Sequence, residues 1–425
     1  MIRKLTTLFL CAFAALFFSS SIATAQQQTQ LPKQNPFRTL TKSPTATAEA
    51  RTRANAATNG ADHDGGAVLP TFDYTVTSTR DGNTYSGTIV GRSPFTDRFG
   101  FVAIPSQLIP IVVVTNSVFA GVNSSGQVVT APGVTVFDPT VADDSCLTPP
   151  NDVPLNLVRQ SPIYEPADFN YGGTDVGFTQ ATDAFQRANF FKLIAPFGDG
   201  DFSTYHVLLA PVRTTGKFII NVPAASGVAF PSAAFGGCPT GQVAIIDVNF
   251  YEPAIEALFP ALASQGVNAG SFPFFSLHNV VECEGTGCAT LNTGLCCILG
   301  FHDIFGSQTF GTATFDTSEI FVSPIPDITP MSHEVAEWMN DPNTVNPTPA
   351  WGHVGQVAGC QNNLEVGDPL SGTMAPRIFM RSNGFTYHLQ ELAFFSWFYG
   401  APSVGVNGWF SNNGTFLSDA GPVCM

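Results

Sequence analysis

The chain has 425 residues, with 32 Asp and Glu against 17 Lys and Arg, and only 12% of it is charged while 38 residues are Phe, 39 Gly and 32 Pro. A chain this acidic, with no run of Lys or Arg, repels phosphate backbones and anionic lipid surfaces, which argues against a nucleic-acid partner. The composition fits exported, loop-rich and strand-rich proteins rather than helical bundles.

Residues 1–25 carry Arg3 and Lys4, an apolar run from Leu8 to Phe18, and then Ala23-Thr24-Ala25, the three zones of a secretory signal peptide. Cleavage there predicts a mature chain from Gln26 that is secreted, periplasmic or held at the cell surface. Two basic residues leave with the signal, so the formal charge moves from −15 to −17. No other apolar run approaches the roughly 20 residues that cross a bilayer, and no membrane insertion is expected after cleavage. Residues 26–68 are mostly Gln, Thr, Ala, Asn and Pro. They bury too little to offset their ordering entropy and read as a disordered linker.

Residues 69–240 read as a β-rich region. Tyr74–Thr79 and Thr84–Val90 alternate around Asp81-Gly82-Asn83, a hairpin signal. Further strands are predicted at Ile109–Val114, Val134–Phe137, Tyr205–Ala210 and Lys217–Val222. A short helix is predicted over 183–192, where Phe185, Ala188 and Phe191 share a face. Residues 241–425 have a different order. A strand Val243–Phe250 leads to a helix opened by Pro253 and running to about Ser264, then a strand Phe272–Val281, a cysteine-bearing loop and an edge strand Gly311–Phe315. A helix follows with Thr329 as its N-cap, Pro330 as its first residue and Pro342 as its stop. That order is the one found in the catalytic half of zincins. The expected fold is α+β: a β-rich N-terminal region followed by a zincin-like mixed sheet carrying a metal-site helix, disulfide-bonded. Near the end, 387–397 reads as an amphipathic helix and Asn412-Asn413-Gly414 as a turn.

The mature chain would keep eight cysteines, an even count that reads in an oxidising compartment as disulfides rather than thiolate zinc sites. Cys283, Cys288, Cys296 and Cys297 fall within one short stretch and predict a covalently pinned loop, with adjacent Cys296 and Cys297 stapling different neighbours.

Directly downstream lies Met331-Ser332-His333-Glu334-Val335-Ala336-Glu337-Trp338. On a helix, His333 and Glu337 stand one turn apart on one face, where an imidazole and a carboxylate can reach one metal ion. The pattern H-E-x-x-E is one letter from the H-E-x-x-H of zinc peptidases. In that reading His333 and Glu337 bind Zn²⁺, Glu334 is the general base, and the third ligand comes from elsewhere. The downstream candidates are Glu365 and Asp368, where Gly367 would let the backbone turn both carboxylates toward one point; His302 and His353 are others. His302 or His388 would steady an oxyanion. One imidazole with two carboxylates cancels the charge of Zn²⁺, which suits a weaker catalyst or a calcium-like oxygen site, so Ca²⁺ is the alternative ion. No Lys or Arg occurs between Lys217 and Arg377, so these acids have no cationic neighbours in sequence.

No G-x-S-x-G, Walker loop or Rossmann fingerprint occurs. The expected function is an exported metal-dependent hydrolase, acting on peptide bonds or on a cell-surface polymer, with the oligomeric state left open. One alternative is a non-catalytic secreted or cell-surface binding protein with a structural cation. Another is a carbohydrate-active surface protein, in which Trp351, Trp397, Trp409 and Tyr399 would line a glycan groove rather than fill a core.

On Gly300-Phe301-His302, His333 through Pro342, Trp351 and Glu365 through Asp368, the chain resembles a set of exported bacterial proteins of uncharacterised activity. More faintly, it resembles the plant EXORDIUM-like (phosphate-induced) secreted proteins. The resemblance covers roughly residues 240–420. It implies an extracellular or cell-surface role and a zincin-like site, and it favours Glu365 over His353 as third ligand.

Overall fold

In the computed structural model, residues 68–419 are described apart from 126, 143–145, 147–151, 195–203, 285–287, 289–295, 322–324, 355–359 and 374–375. The expected signal peptide and nearly all of the linker lie outside the described residues. The fold is mixed α/β and strand-rich, built on one eleven-stranded sheet. At its centre runs the 22-residue strand Phe101–Val122. Its first part pairs in parallel with His206–Thr214 and with Phe272–His278, and its second part pairs with Val128–Phe137 and Phe218–Val222. Strands from both sides of residue 240 therefore share this sheet.

The sequence is most legible at the N-terminal hairpin. Thr71–Thr77 pairs antiparallel with Thr84–Val90, and Gly82 takes the left-handed conformation in the turn. Elsewhere the boundaries shift for identifiable reasons. The strand expected over 272–281 breaks at Asn279, whose φ is 51° and whose side chain bonds the amide and hydroxyl of Thr317. On one side of this break, Phe272–His278 pairs with Gln308–Phe315; on the other, Val280–Cys283 pairs with Gln242–Asp247. Gln308–Phe315 is not an edge strand, because Gly300–Phe305 pairs along its other side. The helix attributed to Pro253 starts earlier, at Val248, with Asp247 capping the Asn249 amide and Pro253 inside it. The amphipathic helix expected over 387–397 is instead the strand Phe385–His388 and the short helix Phe395–Tyr399.

Cys146 bonds Cys238 and Cys283 bonds Cys288, and Cys297 and Cys360 are also disulfide-bonded. Such bonds persist in oxidising compartments and point to a location outside the cytoplasm. Among the described residues no helix is long and apolar enough to cross a membrane.

The helix Thr329–Asn340 is buried along its whole length. Met331, Val335, Ala336, Trp338 and Met339 join the largest apolar cluster, and Trp338 stacks on Phe272 with ring centroids 3.7 Å apart while its indole N–H donates to Thr309 at 2.9 Å. A helix apolar on most sides belongs inside, and this one is held between the sheet and the elements after it. Its polar residues His333, Glu334 and Glu337 are therefore carried into the interior. The cap lies one residue before Thr329, at Ile328, while the Thr329 hydroxyl donates to the Pro326 carbonyl.

Candidate metal centre

Two further elements meet the helix at one point. The strand Gly300–Phe305 brings His302, the segment Glu365–Asp368 brings two carboxylates, and the helix contributes His333, Glu334 and Glu337. His333 Nε2 lies 3.0 Å from Glu337 Oε2 and 3.4 Å from Asp368 Oδ1. His302 Nδ1 lies 3.5 Å from Glu334 Oε2 and 3.9 Å from the same Glu337 Oε2. The ligand atoms of His302, Glu334 and Glu337 form one group that could hold a metal ion, and those of His333, Glu337 and Asp368 form another.

Neighbouring polar groups fix these side chains in place. Glu337 Oε1 accepts from the Gly367 and Asp368 amides at 3.0 and 3.1 Å, which leaves Oε2 for the two imidazoles. The strand Cys360–Asn363 presents alternate residues to the site: Gln361 donates to Asp368 Oδ2 at 2.6 Å and Asn363 to Glu365 Oε1 at 2.5 Å. His302 Nε2 lies 3.1 Å from the Asp341 carbonyl. The Asp341 carboxylate itself turns to the Val345 and Asn346 amides.

Two glycines permit the approach. A Cβ at Gly367 would stand 2.5 Å from His333 Nδ1, and one at Gly300 would stand 2.8 Å from Glu334 Cγ. Gly367 has ordinary helical angles, φ −86° and ψ −37°, so its role is to leave room for the imidazole rather than to permit a special turn.

Burial dominates the electrostatics. It pushes the carboxyls of Glu334 and Glu365 well above the usual carboxylate range and raises that of Glu337, with neighbouring acids adding to the effect and His333 opposing it at Glu334 and Glu337. At His333 burial alone would lower the pKa, but Glu337, Asp368 and Glu334 override it and hold the imidazole well above its ordinary value. Ionised carboxylates packed this way need positive charge beside them.

The structure thus brings together His302, His333, Glu334, Glu337 and Asp368. Glu365 sits on the far side of His302, its Oε2 3.8 Å from Nε2 and accepting no hydrogen bond among the described residues. The carboxylate that meets His333 and Glu337 is Asp368 rather than Glu365. His353 stands behind Asp368, its Nδ1 3.0 Å from that residue's carbonyl. His388 is not brought to the cluster; its Nδ1 lies 2.6 Å from Asp327 Oδ2. Gln361, Asn363 and the Asp341 carbonyl are contributors that the motif alone does not announce, and the i, i+2 spacing of two amides just before Glu365 is their only sequence trace. Trp351, Trp397 and Tyr399 are fully buried and pack in the largest core cluster, against one another and nearby Phe rings, so none of them lines a surface groove; Trp409 is partly buried against that core.

Comparison with known proteins finds no matching family model, no matching curated protein and no matching solved structure. The functional reading rests on the geometry.

Proposed function

We propose that the protein is an exported metal-dependent hydrolase with a zincin-like centre, in which His333, Glu337 and Asp368 hold a divalent cation and peptide bonds are the substrate. The observation that carries this reading is the closure of a helix-borne His–Glu pair by a carboxylate from a separate segment, at 3.0 and 3.4 Å, with a further carboxylate, Glu334, on the same helix. One imidazole and two carboxylates suit Zn²⁺ or a similar transition ion better than Ca²⁺, which takes six to eight oxygens. The bound ion would make a water acidic. Glu334 would take that water's proton as its oxygen adds to the substrate carbonyl, and would deliver the proton to the departing amine. His302, beside Glu334, would steady the developing oxyanion. The likeness to EXORDIUM-like secreted proteins in residues 300–368 accords with an extracellular role.

A second reading, a structural cation in a binding protein, is favoured by the burial of the cluster, in which no side chain is more than 9% exposed. Glu334→Gln separates the two. Measured on purified mature protein with a peptide library, the hydrolase reading expects Zn²⁺ retained and turnover reduced about 100-fold or more, the size of a general-base effect. Wild-type protein that is fully loaded yet cleaves nothing in the library would leave the structural reading standing.

A further inference from the structure

We infer that the cluster is a two-ion centre: His302, Glu334 and Glu337 form a second divalent-cation site that shares Glu337 Oε2 with the first. The inference deepens the proposed function, since it takes an ion at His333, Glu337 and Asp368 as its starting point.

The argument begins with a tautomer. A backbone carbonyl can only accept, so the 3.1 Å contact between His302 Nε2 and the Asp341 carbonyl places the ring's N–H on Nε2. The Nδ1 lone pair then faces Glu334 Oε2 at 3.5 Å and Glu337 Oε2 at 3.9 Å. With the ring neutral, these three atoms form a group that could hold one cation. Donors 2.0–2.2 Å from a tetrahedral ion stand about 3.3–3.6 Å from one another, close to these separations. An imidazole that donates its remote N–H to a backbone carbonyl is also the usual way a metal-binding histidine is oriented.

Charge accords with this. Glu334, Glu337, Glu365 and Asp368 are all buried, and with all four ionised their charge would match that of two divalent cations. Glu365 Oε2, buried and without a hydrogen bond among the described residues, is aimed at His302, where it would reinforce the basicity of a ligating Nδ1. Glu337 is built to bridge: its Oε1 is held by two amides and its Oε2 faces both imidazoles. Ions about 3.5–4 Å apart joined by a shared carboxylate are a recurrent arrangement in metallohydrolases.

Filling the second site has a consequence for the first. Glu334 and His302 would become ligands and could no longer carry a proton or face an oxyanion, so activity should rise with the first equivalent of cation and fall with the second.

The test is calorimetric titration of Zn²⁺ into chelator-treated, disulfide-intact protein. Two equivalents are expected. His302→Gln and Glu334→Gln should each weaken the second step at least tenfold while changing the first less than threefold, and Glu337→Gln should weaken both. A wild-type protein that binds one equivalent, or a His302→Gln variant that still binds two with unchanged affinity, overturns the second site and leaves the first intact. Binding of no equivalents overturns both. Circular dichroism of each variant guards against misfolding, and the paired use of two variants from different elements keeps the outcome decisive if one fails to fold.

Discussion

Two of the places where this molecule presses a histidine against buried carboxyl groups, at Asp183 and at Glu337, are built on opposite principles. At Asp183, every oxygen is met by a donor: Thr179 and His206 on Oδ2 at 2.6 and 2.8 Å, the Val207 amide on Oδ1 at 2.6 Å, with the Arg187 guanidinium against the His206 ring at 3.2 Å. Around Glu337, four buried carboxyl groups share two imidazoles, and Glu365 Oε2 accepts no hydrogen bond among the described residues. The Oε2 atoms of Glu334 and Glu337, Asp368 Oδ1 and the imidazole nitrogens converge from three elements, in a stretch of 159 residues, 218–376, that holds no Lys or Arg. Proximity of His to Asp or Glu therefore does not mark a metal centre. Among the described residues, the second cluster is the one whose ligand atoms converge in groups that could hold a metal ion.

Substitutions can break this contrast. Glu337→Gln should have the largest effect, removing a ligand from both ion positions. With Zn²⁺ at 100 times its dissociation constant, the wild type should gain about 2.7 kcal/mol of stability and the variant almost none, read as the Tm difference with and without metal. The apo variant should be no less stable than the apo wild type, because a buried charge is gone. Asp183→Asn should do the reverse, costing about 1.5–3 kcal/mol in chemical denaturation while leaving metal stoichiometry unchanged.

Gly367→Ala tests the space beside the first imidazole. The added methyl meets the His333 ring at 2.5 Å, so the variant should lose about 1–3 kcal/mol and bind the first ion at least tenfold more weakly. Two other buried acids sharpen the comparison further. Asp316, which accepts from the Ser318 amide and hydroxyl, is pushed by burial from 3.8 to about 7. Its folded-state pKa lies above the unfolded value, so its contribution to stability is complete below pH 3.8 and is lost as pH rises to about 7. Asp316→Asn should remove a negative slope of up to about 1.4 kcal/mol per pH unit from that window. Glu282 is fully buried, with neither carboxylate oxygen hydrogen-bonded among the described residues, and burial pushes its carboxyl well above the usual range. Burial disfavours its charged form, so Glu282→Gln should change stability at neutral pH by no more than about 1 kcal/mol and leave metal stoichiometry unchanged.

How much of this could be read from the residues follows the range of the interactions involved. The hairpin around Asp81-Gly82-Asn83 and the helix from Thr329 to Asn340 depend on local turn chemistry and on Pro330 and Pro342, and both are legible. The break at Asn279 is not, because it depends on Thr317, 38 residues away. The same holds at the site. The spacing of His333 and Glu337 announces a shared face, but the choice of Asp368 over Glu365 depends on how Gln361, Asn363 and Gly367 seat the segment against the helix. The partnering of His302 depends on the sheet register that sets its strand beside Gln308–Phe315 and on the Asp341 carbonyl beyond the helix end. His388 was a candidate by residue type alone, and the chain gives it to Asp327.

The central claim, that the carboxylates and imidazoles around Glu337 hold divalent cations, is tested most directly by elemental analysis of the mature protein purified without chelators. The account predicts between one and two equivalents of a transition ion, lost in Glu337→Gln and retained in Asp183→Asn. A folded, disulfide-intact protein that carries no metal and takes up none from excess Zn²⁺ would contradict it.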